Sequence, residues 1–303
     1  MSLGDQLGGV AVFVEVARSG SFTTASNRLG LTKSAVGKSV ARLEDRLGVK
    51  LFYRTTRSLS LTSDGEAFFA RCAVALDEIT DAEMALSAMT VSPRGRLRID
   101  MPALYGRKII LPLLLEIAKS HPDLHLSTTF RDWVINPIEE GVDLVIRFGE
   151  LKDATGLISR KLIEQRFFIC ASPDYLARRG APRTIEELKT HDCVVSHRTG
   201  APHTWAILNE AGEQIRFLPP ATHEMGDGDA MLAAALAGCG ILHMPAALVR
   251  PSIEAGELVP ILDHIAPARG SLYAVWPTTR SLMPKIRFVV DALVNAARVG
   301  RLG

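Results

Sequence analysis

Lys33, Ser34, Gly37, Lys38 and Arg42 fall on one side of a helical period whose other side carries Val36, Val40, Leu43 and Leu47. Thr32 stands just before this run, where a hydroxyl oxygen caps a helix start. The chemistry on offer is recognition of a polyanion. Small residues near a helix N-terminus let a backbone approach closely, and the basic ones reach phosphates or guanine edges in a DNA major groove. Further along, Arg54-Thr55-Thr56-Arg57 is a basic and polar turn. Arg54 and Arg57, with Thr56 beside them, would touch flanking phosphates or a minor groove. The bland alternative is a three-helix bundle with a solvated basic face.

Other constellations are poor. His121 and His125 are four apart, but Pro122 lies between them and no HExxH glutamate accompanies them, so a metal site is not expected. Gly226-Asp227-Gly228-Asp229 lacks the lysine of a phosphate loop, and its acids would repel phosphate. There is no GxSxG elbow and no paired Cys/His nucleophile motif. The chain reads as a non-enzyme that needs no cofactor. Cys72, Cys170, Cys193 and Cys239 are scattered without a CxxC pair, which argues against a disulfide framework or zinc. Cys193 and Cys239 sit in apolar runs, where an inert buried thiol is the usual case, so a thiol redox sensor is a minor alternative.

These residues need elements to hold them. Residues 1–47 read as three short helices. The first shows Val10, Phe13, Val14 and Ala17 on one face. Ser21 is a candidate N-cap for the second, which buries Phe22, Ala25 and Leu29 and stops at Gly30; the third runs from its Thr32 cap to Gly48. The short break between the second and third is a helix-turn-helix arrangement. Lys50 to Tyr53 and Leu59 to Leu61 are strand candidates, and a hairpin there is a wing. Ser63 with Glu66 has capping-box spacing, opening a long helix over Ser63–Thr90. Phe68, Cys72, Ala75, Ile79, Ala82, Leu86 and Met89 form a heptad seam along it, suited to pairing with a second copy or to packing on its own chain.

Ser92-Pro93-Arg94-Gly95 reads as a linker. Beyond it strand and helix patterns alternate, which predicts an α/β domain with mostly parallel sheets. Strands are expected at 97–101, 124–130, 142–148, 167–171, 192–196, 241–244 and 271–276. Helices are expected at 109–120, 136–140, 174–179, 230–237 and 284–298.

Charge is divided unevenly. The whole chain of 303 residues carries a net +2, but residues 1–60 hold nine Lys and Arg against four acids, leaving −3 on the rest. A basic module that meets a polyanion, joined to a module that does something else, fits this split. The first ten residues lack the basic start and apolar core of a signal peptide. The uncharged stretch from Ala230 to Val249 is interrupted by Gly238, Gly240, His243 and Pro245 and reads as helix then buried strand, not as a membrane span. A reduced cytoplasmic protein is expected.

Residues 12–65 resemble the DNA-binding domain of LysR-type transcriptional regulators nearly position by position. The resemblance rests on Phe13-Val14-Glu15-Val16-Ala17, Gly20-Ser21-Phe22-Thr23, Thr32-Lys33-Ser34-Ala35-Val36, Leu43-Glu44, Leu47-Gly48-Val49-Lys50-Leu51-Phe52, and Arg54-Thr55-Thr56-Arg57 through Leu61-Thr62 to Gly65. Gly37 departs from it, since the family usually has serine there. The resemblance implies a multidomain chain: an all-α winged helix-turn-helix over 1–62, a linker and dimerisation helix over 63–90, and an effector-binding domain over 91–303. That last domain would be an α/β fold like periplasmic binding proteins, with lobe 1 at about 91–163 plus 268–303 and lobe 2 at about 164–267. The implied partners are double-stranded operator DNA, a small-molecule effector and the chain itself, as a homodimer and further as a tetramer. A solute-binding module that needs no DNA is the alternative.

The resemblance also places the effector in a cleft between the lobes, with crossings near Glu164 and Pro267. The segments that match are Pro102-Ala103-Leu104-Tyr105, Arg147-Phe148-Gly149-Glu150, Ser196-His197, Gly226-Asp227 and Met244-Pro245. Arg147 and His197 as cations, with amides where helices begin after Pro102 and Gly226, would suit a small organic acid. Tyr105 and Met244 could cover its apolar body. Against this, Asp227 opposes an anion and Glu150 competes for Arg147, which keeps a neutral or amine ligand in view. Each of these residues also has a purely structural use, as an ion-pair partner, a strand end or a loop polar group.

Overall fold

The computed structural model describes residues 3–54, 59–86, 93–149, 155–197, 204–208, 213–263, 269–280 and 283–303. They belong to two compact units, Met1–Ser87 and Ala88–Gly303.

The first unit contains α1 (Leu3–Ser19), α2 (Phe22–Leu29), α3 (Lys33–Leu47), β1 (Phe52–Arg54), β2 (Leu59–Leu61) and α4 (Ser63–Leu86). Local chemistry fixes the helix ends. The Ser21 hydroxyl oxygen accepts from the Thr24 amide, that of Thr32 accepts from the Ala35 amide, and Gly30 and Gly48 close α2 and α3 in the left-handed region at φ 63° and 73°. Phe13, Val16, Ala25, Val36, Val40 and Leu43 fill the interior. Leu47 was expected inside with them but is exposed, because α3 ends past the core. The hairpin pairs Phe52 with Leu61 and Arg54 with Leu59, antiparallel.

Lys50 and Leu51 precede β1 instead of opening it, because Glu44 captures them. Its buried carboxylate accepts from the Leu51 amide at 2.9 Å and the Phe52 amide at 3.3 Å and pairs with Lys50 Nζ at 3.1 Å. On the other side, the Thr62 amide donates to the Leu51 carbonyl and the Thr62 hydroxyl to the Lys50 carbonyl. Thr62, and not Ser63, then caps α4 by accepting from the Gly65 amide at 2.9 Å. Gly65 has to be glycine, since a Cβ there would lie 2.1 Å from the Leu51 oxygen. Leu51 is thus the point where α3, the β1–β2 hairpin and α4 are tied together.

The expected seam of α4 divides. Phe68 and Cys72, with Phe69, Ala73 and Leu76, pack on the core of their own unit, whereas Ala75 and Ile79 are exposed. The side chains of Ala82 and Leu86, and all of Met89 and Thr90, lie outside the described residues.

The second unit begins with β3 (Gly95–Met101), α5 (Ala103–Tyr105), a π turn (Gly106–Ile110), α6 (Leu111–Ser120), β4 (Leu124–Phe130), β5 (Leu144–Phe148) and β6 (Leu157–Ala171). It continues with α7 (Pro173–Arg179), α8 (Ile185–Leu188), β7 (Cys193–Ser196), β8 (Trp205–Leu208), β9 (Gln214–Phe217), β10 (Ala221–Met225), α9 (Gly228–Leu236) and β11 (Ile241–Pro245). α10 (Ala246–Glu254), β12 (Val259–Ile261), β13 (Arg269–Pro277) and α11 (Pro284–Arg298) complete it. α5, the π turn and α6 follow one another without a break. The expected helix at 136–140 is a turn, closed by the Glu140 amide donating to the Asn136 carbonyl.

Strand order is β10-β7-β11-β6-β13-β5-β3-β4, with β12 also on β6. β3 is parallel to β4 and β5, and β7 to β10 and β11. β6 and β13 are antiparallel to their neighbours, so the sheet is mixed and not mostly parallel. β6 was expected only from 167. It is 15 residues long and serves two lobes: up to Arg166 it pairs with β13, and from Phe167 it pairs with β11 and then β12. One core lies beneath β3, β5 and β13 against α6 and α11; lobe 2 has its own cores around Trp205 and Met231. The expected return crossing near Pro267 lies outside the described residues. Among the described residues no helix is long and apolar enough to cross a membrane.

Burial alone would raise the Glu44 pKa, but the two amides and Lys50 outweigh it and hold it below its ordinary value of 4.5. A depressed carboxylate pKa stabilises the fold above the unfolded value and loses that contribution as pH falls through the folded value. Glu44→Gln is therefore expected to cost roughly 2 kcal/mol at pH 7, with the gap to wild type shrinking below about pH 4.5. Urea unfolding at both pH values checks this; a gap independent of pH contradicts it.

Candidate DNA-binding face and effector cleft

α3 turns Val36, Val40 and Leu43 into the unit and leaves Lys33, Ser34, Lys38 and Arg42 exposed, with Gly37 half-buried among them. The turn that sets this orientation is short. Gly30 reverses the chain, the Leu31 amide donates to the Ser26 carbonyl, and Thr32 caps α3 with its own side chain. A positively charged helix start is thus held clear of the core, where its amides and its lysines add their positive potential. Arg54 ends β1, though its side chain, together with Thr56 and Arg57, lies outside the described residues.

In the second unit a cavity of about 710 Å³ opens where β6 passes from one lobe to the other. Pro102, Leu104, Tyr105, Arg147, Phe148, Gly149, Ser196, Met244 and Pro245, all expected from sequence, line it. Ala103, His197, Gly226 and Asp227 do not. His197 is exposed and pairs with Glu224 at 3.0 Å, and Asp227 is spent as the N-cap of α9, accepting from the Ala230 amide. Glu150 lies outside the described residues.

An aromatic row, of which only Tyr105 and Phe148 were expected from sequence, runs along the cavity and on into lobe 2. Tyr105 meets Phe148 edge-on at 5.1 Å, Phe148 meets Phe167 edge-on at 5.5 Å, Phe167 stacks on His243 at 5.0 Å, and His243 on Trp205 at 5.3 Å. Where β6 changes lobes, the Gln165 amide donates to the Tyr105 hydroxyl at 3.1 Å and to the carbonyls of Leu302 and Gly303 at 2.6 and 3.0 Å. The Tyr105 hydroxyl itself donates to Leu302, and burial pushes its pKa up, so it stays a donor.

The polar lining is ordered. Glu164 sits between Lys161 at 3.6 Å and Arg269 at 3.5 Å; Arg131 lies 3.5 Å from Asp100 and 3.0 Å from Glu140. Burial raises the pKa of Asp100, which accepts from Thr129. Asp132 accepts from the amides of Ala103 and Gly228. Arg147 stands on β5 opposite Tyr273 of β13, and burial lowers its pKa. Arg216 is exposed on β9. Five cations therefore line the cavity against three carboxylates. Trp133 and Val134, 61% and 69% exposed, add apolar surface at its edge. Asp132, Phe167, His243 and Trp205 gave no sequence signal; nothing local marks a loop carboxylate that reaches 96 residues along the chain.

Thiol chemistry is not favoured at the two interior cysteines, since burial pushes Cys170 and Cys193 up to about 12. Cys239, expected in the interior, is exposed at the end of α9.

Two family models match the chain: a bacterial regulatory helix-turn-helix protein of the lysR family over residues 7–66, and a LysR substrate binding domain over residues 91–298. The HTH-type transcriptional regulator CrgA of Neisseria meningitidis is 36% identical over 287 residues, which cover 94% of this chain and 95% of that protein. The HTH-type transcriptional regulator DmlR of Escherichia coli is 32% identical over 290 residues, covering 95% and 93%. Among solved structures, CrgA aligns with a TM-score of 0.59 at 35% identity over 94% of this chain and 98% of that one. The full-length virulence activator AphB of Vibrio cholerae aligns with a TM-score of 0.59 at 25% identity, covering 97% and 99%.

Gly37 lies on the exposed side of α3 with open space around it. A Cβ built there meets nothing within 4 Å, and glycine inside a helix costs roughly 1 kcal/mol relative to alanine. Gly37→Ala is expected to raise stability by about that amount in urea unfolding, while weakening DNA binding in a parallel titration. A loss of stability would mean that the position packs against something; unchanged DNA affinity would take it out of the interface.

Proposed function

The chain belongs to the LysR family of DNA-binding transcriptional regulators with a substrate-binding domain, and from that premise we propose that it reads an operator through α3 and answers to a small organic acid held in the interlobe cavity. On the DNA side, Lys33, Ser34, Gly37 and Lys38 meet base edges and nearby phosphates, and Arg42 and the wing residues Arg54, Thr56 and Arg57 secure the backbone. Residues 1–62 form the DNA-binding module, 63–90 the connecting helix and 91–303 the sensor. The exposed Ala75 and Ile79 of α4 serve to pair it with a second copy, and two such dimers make a tetramer.

The observation that carries the effector assignment is the excess of cations over carboxylates around the cavity, with Arg147 half-buried in its wall. Charge interactions strengthen as water is excluded, so an anion beside Arg147 gains more there than at the surface. The aromatic row supplies a flat apolar wall for the body of the ligand. The acid thus lies with its charge toward Arg147 and its body along Phe148 and Phe167. Its class follows from these features: one carboxylate, a small apolar or unsaturated body, and a size well under the cavity volume.

A thermal-shift screen of small carboxylates, amines and sugars on the full-length protein tests this. A ligand at ~100 times its dissociation constant stabilises by roughly 2.7 kcal/mol. A carboxylate is expected to give a shift of that order in wild type and little in Arg147→Ala. Stabilisation by amines alone contradicts the anion assignment, and an acid that works equally on Arg147→Ala removes that residue from it.

A further inference from the structure

The carboxylate of Asp132 joins the two lobes. Asp132 follows β4, and its Oδ1 accepts from the amide of Ala103 at 2.9 Å, while its Oδ2 accepts from the amide of Gly228 at 3.1 Å. Ala103 opens the helical run of lobe 1, and Gly228 opens α9 in lobe 2. The first amides of a helix have no partner within it, and the positive end of the helix favours a negative charge there. Two such ends converge on one carboxylate. The surfaces beside it are in direct contact: a Cβ on Gly228 would lie 2.9 Å from Leu104 Cβ, and Arg107 of lobe 1 pairs with Asp229 of lobe 2.

We propose that Asp132 is a resident carboxylate ligand, which fills an anion seat built from the helix starts of both lobes and clasps them together. The seat has the donors that a free carboxylate would seek: two convergent amides, each the leading one of its helix. A side chain already held beside them binds without losing translational freedom, so it outcompetes a dilute free acid. The specificity of the cleft follows. Both helix starts belong to the chain's own carboxylate, and the charge of an incoming acid is directed to the Arg147 side of the cavity; in this the inference rests on the effector reading above. Asp132 is a positioning residue: it sets the spacing of the lobes and occupies the amides at both helix starts.

The test is replacement of the side chain by a free ion. In full-length Asp132→Ala, the truncated side chain leaves room at the amides for formate. Thermal unfolding is followed in sodium formate and in sodium chloride at equal concentration. Formate is expected to raise the midpoint of Asp132→Ala beyond the chloride value by several degrees more than it raises that of wild type, in which only the Arg147 side is open to it. An equal response of the two proteins to formate overturns the proposal. Should Asp132→Ala fail to fold, Asp132→Asn keeps the size of the side chain and removes its charge. Exchange of the Ala103 and Gly228 amide protons is then expected to be at least about tenfold faster than in wild type, and unchanged exchange overturns the proposal. The first readout is the difference from wild type, in which formate bound near Arg147 cancels, and the second uses no added acid. Formate rescue without any acid binding near Arg147 would end the effector assignment and leave the clasp, whereas acid binding without rescue would do the reverse.

Discussion

One strand belongs to both lobes, and the sensing unit is organised by that constraint. β6 hands its hydrogen bonds from β13 to β11 between Arg166 and Phe167. A strand cannot be cut at this point without unpairing strands in both lobes, so β6 holds the lobes together. Its residues on either side of the hand-over serve both sides of the cavity. Gln165 fastens the crossing to Tyr105 and to the carbonyls of Leu302 and Gly303. Phe167 carries the aromatic row across from Phe148 to His243. Any small molecule in the cavity therefore lies against a wall continuous through both lobes. A ligand shifts a two-state equilibrium only through contacts that differ between the states, and a wall shared by both lobes is where such contacts would be made.

The DNA-binding unit depends on a comparable knot around Leu51. Glu44 lies on the buried face of α3, and its carboxylate fixes the chain that leads into the wing. Thr62 fixes the same chain from the side of α4. The basic face of α3 can remain bare and exposed because its opposite face and its far end are fully committed. A buried carboxylate in this role is stable only while its acceptor positions are filled, which is why two amides and a lysine converge on it.

The helix-turn-helix was legible in the sequence because its signals are local. Ser21, Gly30, Thr32 and Gly48 mark the ends of two amphipathic helices, and the caps form where the residue types place them. The α/β alternation of the second unit was legible for the same reason. The first half of β6 was not, since Ser159-Arg160-Lys161 and Glu164-Gln165-Arg166 are polar and do not look like a strand between two others. The cavity was read in part. Residues at strand ends, such as Arg147 and Pro245, line it, but His197 lies just past the end of β7 and turns to Glu224, and Asp227 is used in capping. Asp132, Phe167 and His243 acquire their places only through pairings distant in the chain, which no local pattern encodes.

The central claim is that α3 reads base sequence and does not merely supply positive charge. The most direct measurement is a fluorescence anisotropy titration of wild type and Lys38→Ala on two duplexes: an operator selected from random sequence by the wild-type protein, and unselected DNA of equal length, at one fixed salt concentration. A side chain that contacts a base edge is worth about 1–3 kcal/mol of discrimination, roughly 5- to 150-fold in affinity. Lys38→Ala is predicted to lose affinity for the operator by a factor in that range and to change little on unselected DNA. Equal losses on both duplexes would mean that α3 contributes charge alone and that the sequence is read elsewhere.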